Sequence, residues 1–172
     1  MGWIRYYSSV KRFAPISVLI VAFFLSACNS GTPPPKIGTL AADFTVQDQD
    51  RKVTLSALRG KVVVLNFWAS WCPPCVAETP SLVAMHHLLR DKGVIVLAVS
   101  IDDDDSAYHR FIQEQGMDML TVRDAAKKSN NLYGTFVFPE TYIIDRNGIL
   151  RRKIIGETNW TEQEMMEYLT KL

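Results

Sequence analysis

The stretch Trp71-Cys72-Pro73-Pro74-Cys75 constrains this chain more than any other. It follows Val62-Val63-Val64-Leu65-Asn66-Phe67, an apolar run that reads as a buried strand. It opens a helical pattern in which Thr79, Leu82, Val83, His86 and Leu89 fall on one stripe. Two cysteines with two residues between them at a helix start can pass between dithiol and disulfide with little backbone movement. The first thiol lies beside unpaired N–H groups and the positive end of the helix dipole, which stabilise a thiolate. The thiolate is the form that attacks disulfides. Cys72 is therefore the expected nucleophile and the more exposed sulfur, with Cys75 the resolving thiol one turn deeper. The competing reading is a structural bridge, which seldom spans two residues at a helix start between tryptophans.

The third cysteine belongs to a different segment. Arg5, Lys11 and Arg12 form a positive region with no acid, and Phe13 to Ala27 is apolar with Pro15 inside it. That run is shorter than the roughly 20 residues a spanning helix needs, and its flanks fit a secretory signal. Its ending, Leu25-Ser26-Ala27-Cys28, resembles a bacterial lipobox. The resemblance implies cleavage before Cys28 and a lipid on its sulfur. An ordinary signal peptide or an uncleaved anchor is the alternative, and each version sends the chain out of the cytoplasm. Residues 1–27 are thus a signal, and residues 28–36, small, polar and proline-rich, are a tether.

Residues 37–172 then form one domain, large enough for a proper core. Taking Arg5, Lys11 and Arg12 from the 19 basic residues leaves 16 against 18 acids in residues 28–172, a net charge of −2. Nothing in that balance points to nucleic acid, and membrane attachment would come from lipid. A metal site is not expected, because one CxxC supplies two ligands and structural zinc usually needs four. His86 and His87 point about 100° apart on a helix.

Phe44 to Val46 and Val53-Thr54 read as short strands. Val62 to Phe67 and Val94 to Ile101 read as strands covered on both faces. Pro73 to Arg90 is the expected helix between them. Asp102 to Asp105 should cap a helix running to about Gln115. A short strand is expected at Leu120 to Val122 and a short helix at Ala125 to Leu132. Asp145-Arg146-Asn147-Gly148 between apolar runs is a hairpin signal. Thr161 with Glu164 fits a capping box for the last helix. This order gives an α/β fold, a mixed central sheet with helices on both faces.

From Val64 to Cys75, with Glu78, Pro80, Tyr133-Gly134 and Val137 to Asp145, the chain resembles the thioredoxin fold. More narrowly it resembles the membrane-anchored TlpA/ResA-like family of extracytoplasmic thioredoxin-like proteins. The resemblance covers nearly all of residues 37–172. It implies a cis peptide bond at Pro139 facing the cysteines, with Phe138 offering backbone groups and an apolar contact to substrate. It ties Glu78 to the site; from spacing alone Glu78 shares a helix face with Cys75, and a surface glutamate is the other reading. Trp71 can offer an apolar landing surface, whereas Trp68 is expected in the core. Two positions depart from the pattern. The buried aspartate of cytoplasmic thioredoxins is Asn66 here, and the usual threonine after the proline is Glu140, which bears on substrate preference.

The expected activity is thiol–disulfide exchange with no metal or organic cofactor. The partners implied are a protein disulfide, in this family often the oxidised haem-binding cysteine pair of apocytochrome c, and a membrane thiol carrier as electron donor. The chain is expected to work as a monomer. The alternatives are a disulfide oxidase or isomerase, a peroxiredoxin-like peroxidase, and a tethered binding module. The peroxidases carry a threonine three residues before their cysteine, where this chain has Ala69.

Overall fold

The structure is a computed structural model and describes residues 33–172. The expected signal, Cys28 and residues 29–32 of the expected tether lie outside the described residues.

Val62–Trp68 (β3) is buried at every position. A run with no wet face must lie inside a sheet, and this strand is its centre. Val94–Ser100 (β4) lies parallel to it, and Leu120–Arg123 (β5) lies parallel to β4. On the other side Glu140–Ile144 (β6) runs antiparallel to β3, and Leu150–Ile155 (β7) closes the sheet antiparallel to β6. The order is β5-β4-β3-β6-β7, the mixed sheet expected. Thr45–Gln47 (β1) and Lys52–Thr54 (β2) form a separate two-stranded hairpin.

Alternate side chains on a strand face opposite ways, and this divides the interior. Val62, Val64 and Trp68 join Val94, Val96, Ala98 and Ile143 on one face. There they meet Pro73–Leu89 (α1), Asp105–Gln115 (α2) and Gln163–Lys171 (α4) through Leu82, Met85, Leu89, Tyr108, Phe111 and Leu169. Val63, Leu65 and Phe67 face the other way, toward Tyr133 of Lys128–Tyr133 (α3) and toward Phe44, Val46 and Val53. Helices cover both faces, with the β1–β2 hairpin beside α3. Among the described residues no helix is long and apolar enough to cross a membrane.

The turn after β6 follows its sequence signal. Asp145 Oδ1 accepts from the N–H groups of Asn147 and Ile149, both at 2.9 Å, and Gly148 takes the positive φ of 77° that a side chain would resist. The last helix departs from expectation. Glu162, not Thr161, is its N-cap and makes no side-chain cap; Thr161 Oγ1 instead donates to Asn159 Oδ1 at 2.7 Å. The Asn159 turn captures the hydroxyl before a capping box can form. The same turn carries Trp160 into the core.

Leu82 anchors α1 in the middle of this interior. Leu82→Ala is expected to cost about 2–5 kcal/mol, read as a lower denaturant midpoint with an unchanged slope. A loss below ~0.5 kcal/mol would place Leu82 outside the packed core.

Candidate active site

β3 delivers the chain to one rim of the sheet. Its last carbonyl, Trp68 O, accepts from Ile101 N at 3.0 Å, and the chain then turns into α1. Within that turn Cys72 N donates to Ala69 O at 3.2 Å. Cys72 is the helix N-cap, in extended geometry, with Pro73 and Pro74 in the first helical positions. It is joined to Cys75 by a disulfide with a Cα–Cα separation of 5.2 Å. Prolines have no N–H to offer. Cys72 Sγ therefore accepts from one backbone donor, Cys75 N, at 3.3 Å.

The expected exposure of Cys72 is corrected. It is 4% exposed and Cys75 1%, so the order holds but the first sulfur is sheltered too. Phe138, itself partly buried, packs against the core cluster that contains both cysteines. Trp71 stands out from the same rim, 62% exposed, and meets Phe138 edge-on with ring centroids 6.4 Å apart. Trp68 is buried against Tyr108 and Phe111. The two tryptophans thus divide as their places relative to the strand end require.

Beneath the pair lies a carboxyl group with little water. Glu78 is 4% exposed, one helical turn after Cys75 and also on the buried face of α1. Asn66 Nδ2 donates to its Oε1 at 2.8 Å and to Thr141 Oγ1 at 2.9 Å. The N–H of Thr158 and Nε1 of Trp160 donate to Oε2, each at 3.2 Å. Burial pushes the Glu78 carboxyl up to about 7. The three donors pull against that rise, and the nearby Glu157 adds to it. Glu78 also lines an open cleft of about 330 Å³ with Ala77, Ser81, Glu157, Thr158 and Asn159. A carboxyl so placed can hold or release a proton at neutral pH.

The departure at Asn66 now has a physical sense. The strand position supplies an amide that holds a carboxyl carried by the helix. Trp160 and Thr158 were not legible as site residues, because no spacing rule links positions about 80 residues apart. Ser81 pins their segment, donating to Glu78 O at 2.9 Å and accepting from Trp160 N at 3.2 Å.

The second loop of the rim comes from the start of β6. The Phe138–Pro139 bond is cis, as expected from the resemblance. Pro139 O accepts from Gly156 N at 2.8 Å. The backbone N–H and C=O of Phe138 have no partner among the described residues. Glu140 does not face outward. It is buried, accepts from Thr135 Oγ1 at 2.7 Å and from Tyr142 OH, and pairs with Lys153 Nζ at 2.9 Å. Strand alternation turns it to the face opposite Thr141. It bears on the shape of the loop and not on a direct substrate contact.

Residues 37–153 match the AhpC/TSA family. The chain belongs to that family. It is 34% identical over 138 residues to the thiol-disulfide oxidoreductase ResA of Bacillus thuringiensis, covering 80% of this chain and 79% of that one. It is 35% identical over 156 residues to the thiol:disulfide interchange protein DsbE of Pseudomonas aeruginosa, covering 84% of each. The crystal structure described as a DsbE from Chlorobium tepidum superposes with a TM-score of 0.73 at 29% identity, over 79% of this chain and 98% of that one. The fold is thioredoxin-like. The enzyme class read from the sequence, thiol–disulfide oxidoreductase, is the class of these relatives and of this chain.

The raised Glu78 carboxyl has a stability signature. Its folded value of about 7 lies above the ordinary 4.5, so the native state binds this proton more tightly than the unfolded chain. The linked stability is fully present below about pH 4.5 and is lost as pH rises through about 7. The loss approaches roughly 3 kcal/mol. Glu78→Gln keeps an acceptor for Trp160 and Thr158 and can donate to Asn66 if that amide turns over. It is expected to abolish most of this pH dependence in thermal unfolding between pH 4 and 8. An unchanged slope would mean that the Glu78 carboxyl titrates alike in the folded and unfolded chain.

Proposed function

We propose that the chain reduces protein disulfides outside the cytoplasm, held at a membrane by lipid on Cys28. Residues 1–27 direct export, residues 28–36 act as the tether, and residues 37–172 perform the chemistry as a monomer. The observation that carries the reductive direction is the single backbone donor on Cys72 Sγ. Fewer donors leave the thiolate less stabilised, and a pair with a less stabilised thiolate gives up its electrons more readily.

In the proposed reaction the Cys72 thiolate attacks one sulfur of the substrate disulfide. The other substrate sulfur leaves as a thiolate and takes up a proton. Cys75 then loses its proton to the Glu78 carboxylate and attacks Cys72 Sγ. The Cys72–substrate bond breaks, and the second substrate sulfur leaves as a thiolate and takes up a proton. Two electrons have passed to the substrate and the Cys72–Cys75 disulfide has formed. Glu78 returns its proton toward water through the cleft it lines. A thiol carrier in the membrane reduces the pair again, since the compartment is itself oxidising.

Substrate binding falls to the rim. An extended segment can pair with the free backbone groups of Phe138 beside Pro139, strand against strand. Trp71 and Phe138 supply apolar contact. The substrate class is a protein disulfide, with the haem-binding cysteine pair of apocytochrome c the specific substrate that the resemblance implies. The names of the ResA and DsbE relatives support the exchange chemistry. Ala69 in place of the peroxidase threonine argues against peroxide as substrate.

The reduction potential decides the direction. A value near that of thioredoxin, about −270 mV, is expected, whereas one near the strong oxidases, about −120 mV, would make the chain an oxidant. Trapping identifies the partner. Cys75→Ala is expected to accumulate mixed disulfides on Cys72, and the double Cys72→Ala, Cys75→Ala variant none. Equal recovery from both variants would remove Cys72 as the nucleophile.

A further inference from the structure

The four consecutive acids after β4 do not act alike. Asp104 caps α2, accepting from Ser106 N at 2.8 Å. Asp103 pairs with Lys127 and Asp105 with Arg123. Asp102 does neither. It is 1% exposed, and its carboxylate turns back across the rim toward the approach to Cys72. Both of its oxygens lie 3.1 Å from Ser70 N, and Oδ1 also accepts from Ser70 Oγ at 2.8 Å. Oδ2 accepts from Ser100 Oγ at 2.7 Å, and that hydroxyl in turn accepts from Asp102 N at 3.0 Å.

We infer that Asp102 is a positioning residue for Cys72, acting through Ser70. This rests on the proposed role of Cys72 as nucleophile. β3 and β4 hold register as far as Trp68 and Ser100, after which the two chains separate. Asp102 bridges the gap they leave. Ser70 is two residues before Cys72, in the turn that Cys72 N closes onto Ala69 O. Without Asp102 the Ser70 N–H would have no protein acceptor among the described residues, and a partly buried donor left unpaired is costly.

The anchor is itself held from behind. Asp102 O accepts from Arg123 Nη1 at 3.3 Å. The same guanidinium grips Asp105 Oδ1 through Nε at 2.9 Å and Nη2 at 2.8 Å. The first turn of α2 and the end of β5 therefore fix where Asp102 can stand. The carboxylate fixes Ser70, and Ser70 fixes the direction in which Trp71 and Cys72 leave the strand. Disulfide exchange needs an attacking sulfur aligned with a target disulfide, so a small displacement of this turn falls directly on the rate.

The test compares Asp102→Asn, Ser70→Ala and Ser70→Thr with the wild-type protein in steady-state reduction of a protein disulfide, well below the unfolding transition. Asn keeps the shape of Asp102 and one acceptor for the Ser70 N–H but loses the charge. Ser70→Ala loses only the hydroxyl bond, and Ser70→Thr restores it. Asp102→Asn is expected to lower kcat about tenfold with KM near the wild-type value. Ser70→Ala is expected to lower it less, and Ser70→Thr to recover it. A merely structural role would lower the unfolding midpoint and leave kcat of the folded enzyme alone. Wild-type kcat in both Asp102→Asn and Ser70→Ala, or a loss that Ser70→Thr fails to restore, would overturn the inference. Failure of the parent reading looks different: the wild-type protein would not exchange, or Cys72→Ala would still do so.

Discussion

A carboxyl group has been drawn out of water beneath the redox pair, and much of the surrounding structure makes that tolerable. Glu78 costs burial energy that a leucine at the same position would not. It is held by an amide from β3, an indole and a backbone N–H from the segment before α4, and by nothing cationic among the described residues. A lysine or arginine partner would have kept it ionised. Three neutral donors leave it near the point where gaining and losing a proton are balanced. The site is tuned by what is withheld as much as by what is supplied. The same restraint appears at Cys72, where two prolines remove donors that another helix start would provide.

Much of the fold could be read from hydrophobic pattern. β3 and β4 are apolar except at Asn66 and Ser100, and proved to be inner strands. The Asn-Gly turn and the strand–helix alternation pointed to a mixed sheet with a terminal hairpin, though not to its strand order. The Cys72–Cys75 pair and the division between Trp68 and Trp71 followed from position relative to a strand end. Pro139 needed the family resemblance, since spacing alone does not choose a cis bond.

What was not legible shares one cause: it depends on side chains meeting across the fold. Trp160 reaches Glu78 from 82 positions away. Asp102 looked like one of four helix-capping acids and turned out to face the opposite element. Thr161 looked like a cap until Asn159 claimed its hydroxyl. Glu140 was legible only as a departure from the usual threonine, and its burial against Thr135, Tyr142 and Lys153 was set by strand parity. Cys72 is buried within a core cluster drawn from the whole sheet face, from Val62 to Leu169.

The pairing of β3 with β6 carries a consequence for how the chain tolerates change. Thr141 stands opposite Asn66, and Glu140 opposite Phe67. Because side chains alternate, a slip of one residue between these strands would bring Glu140 round to the Asn66 side. Two carboxylates would then compete for one amide inside a dry chamber, and the proline loop would be dragged off the cysteines at the same stroke. Insertions are therefore far safer in the β6–β7 turn, or between β1 and β2, than anywhere that shifts this one ladder.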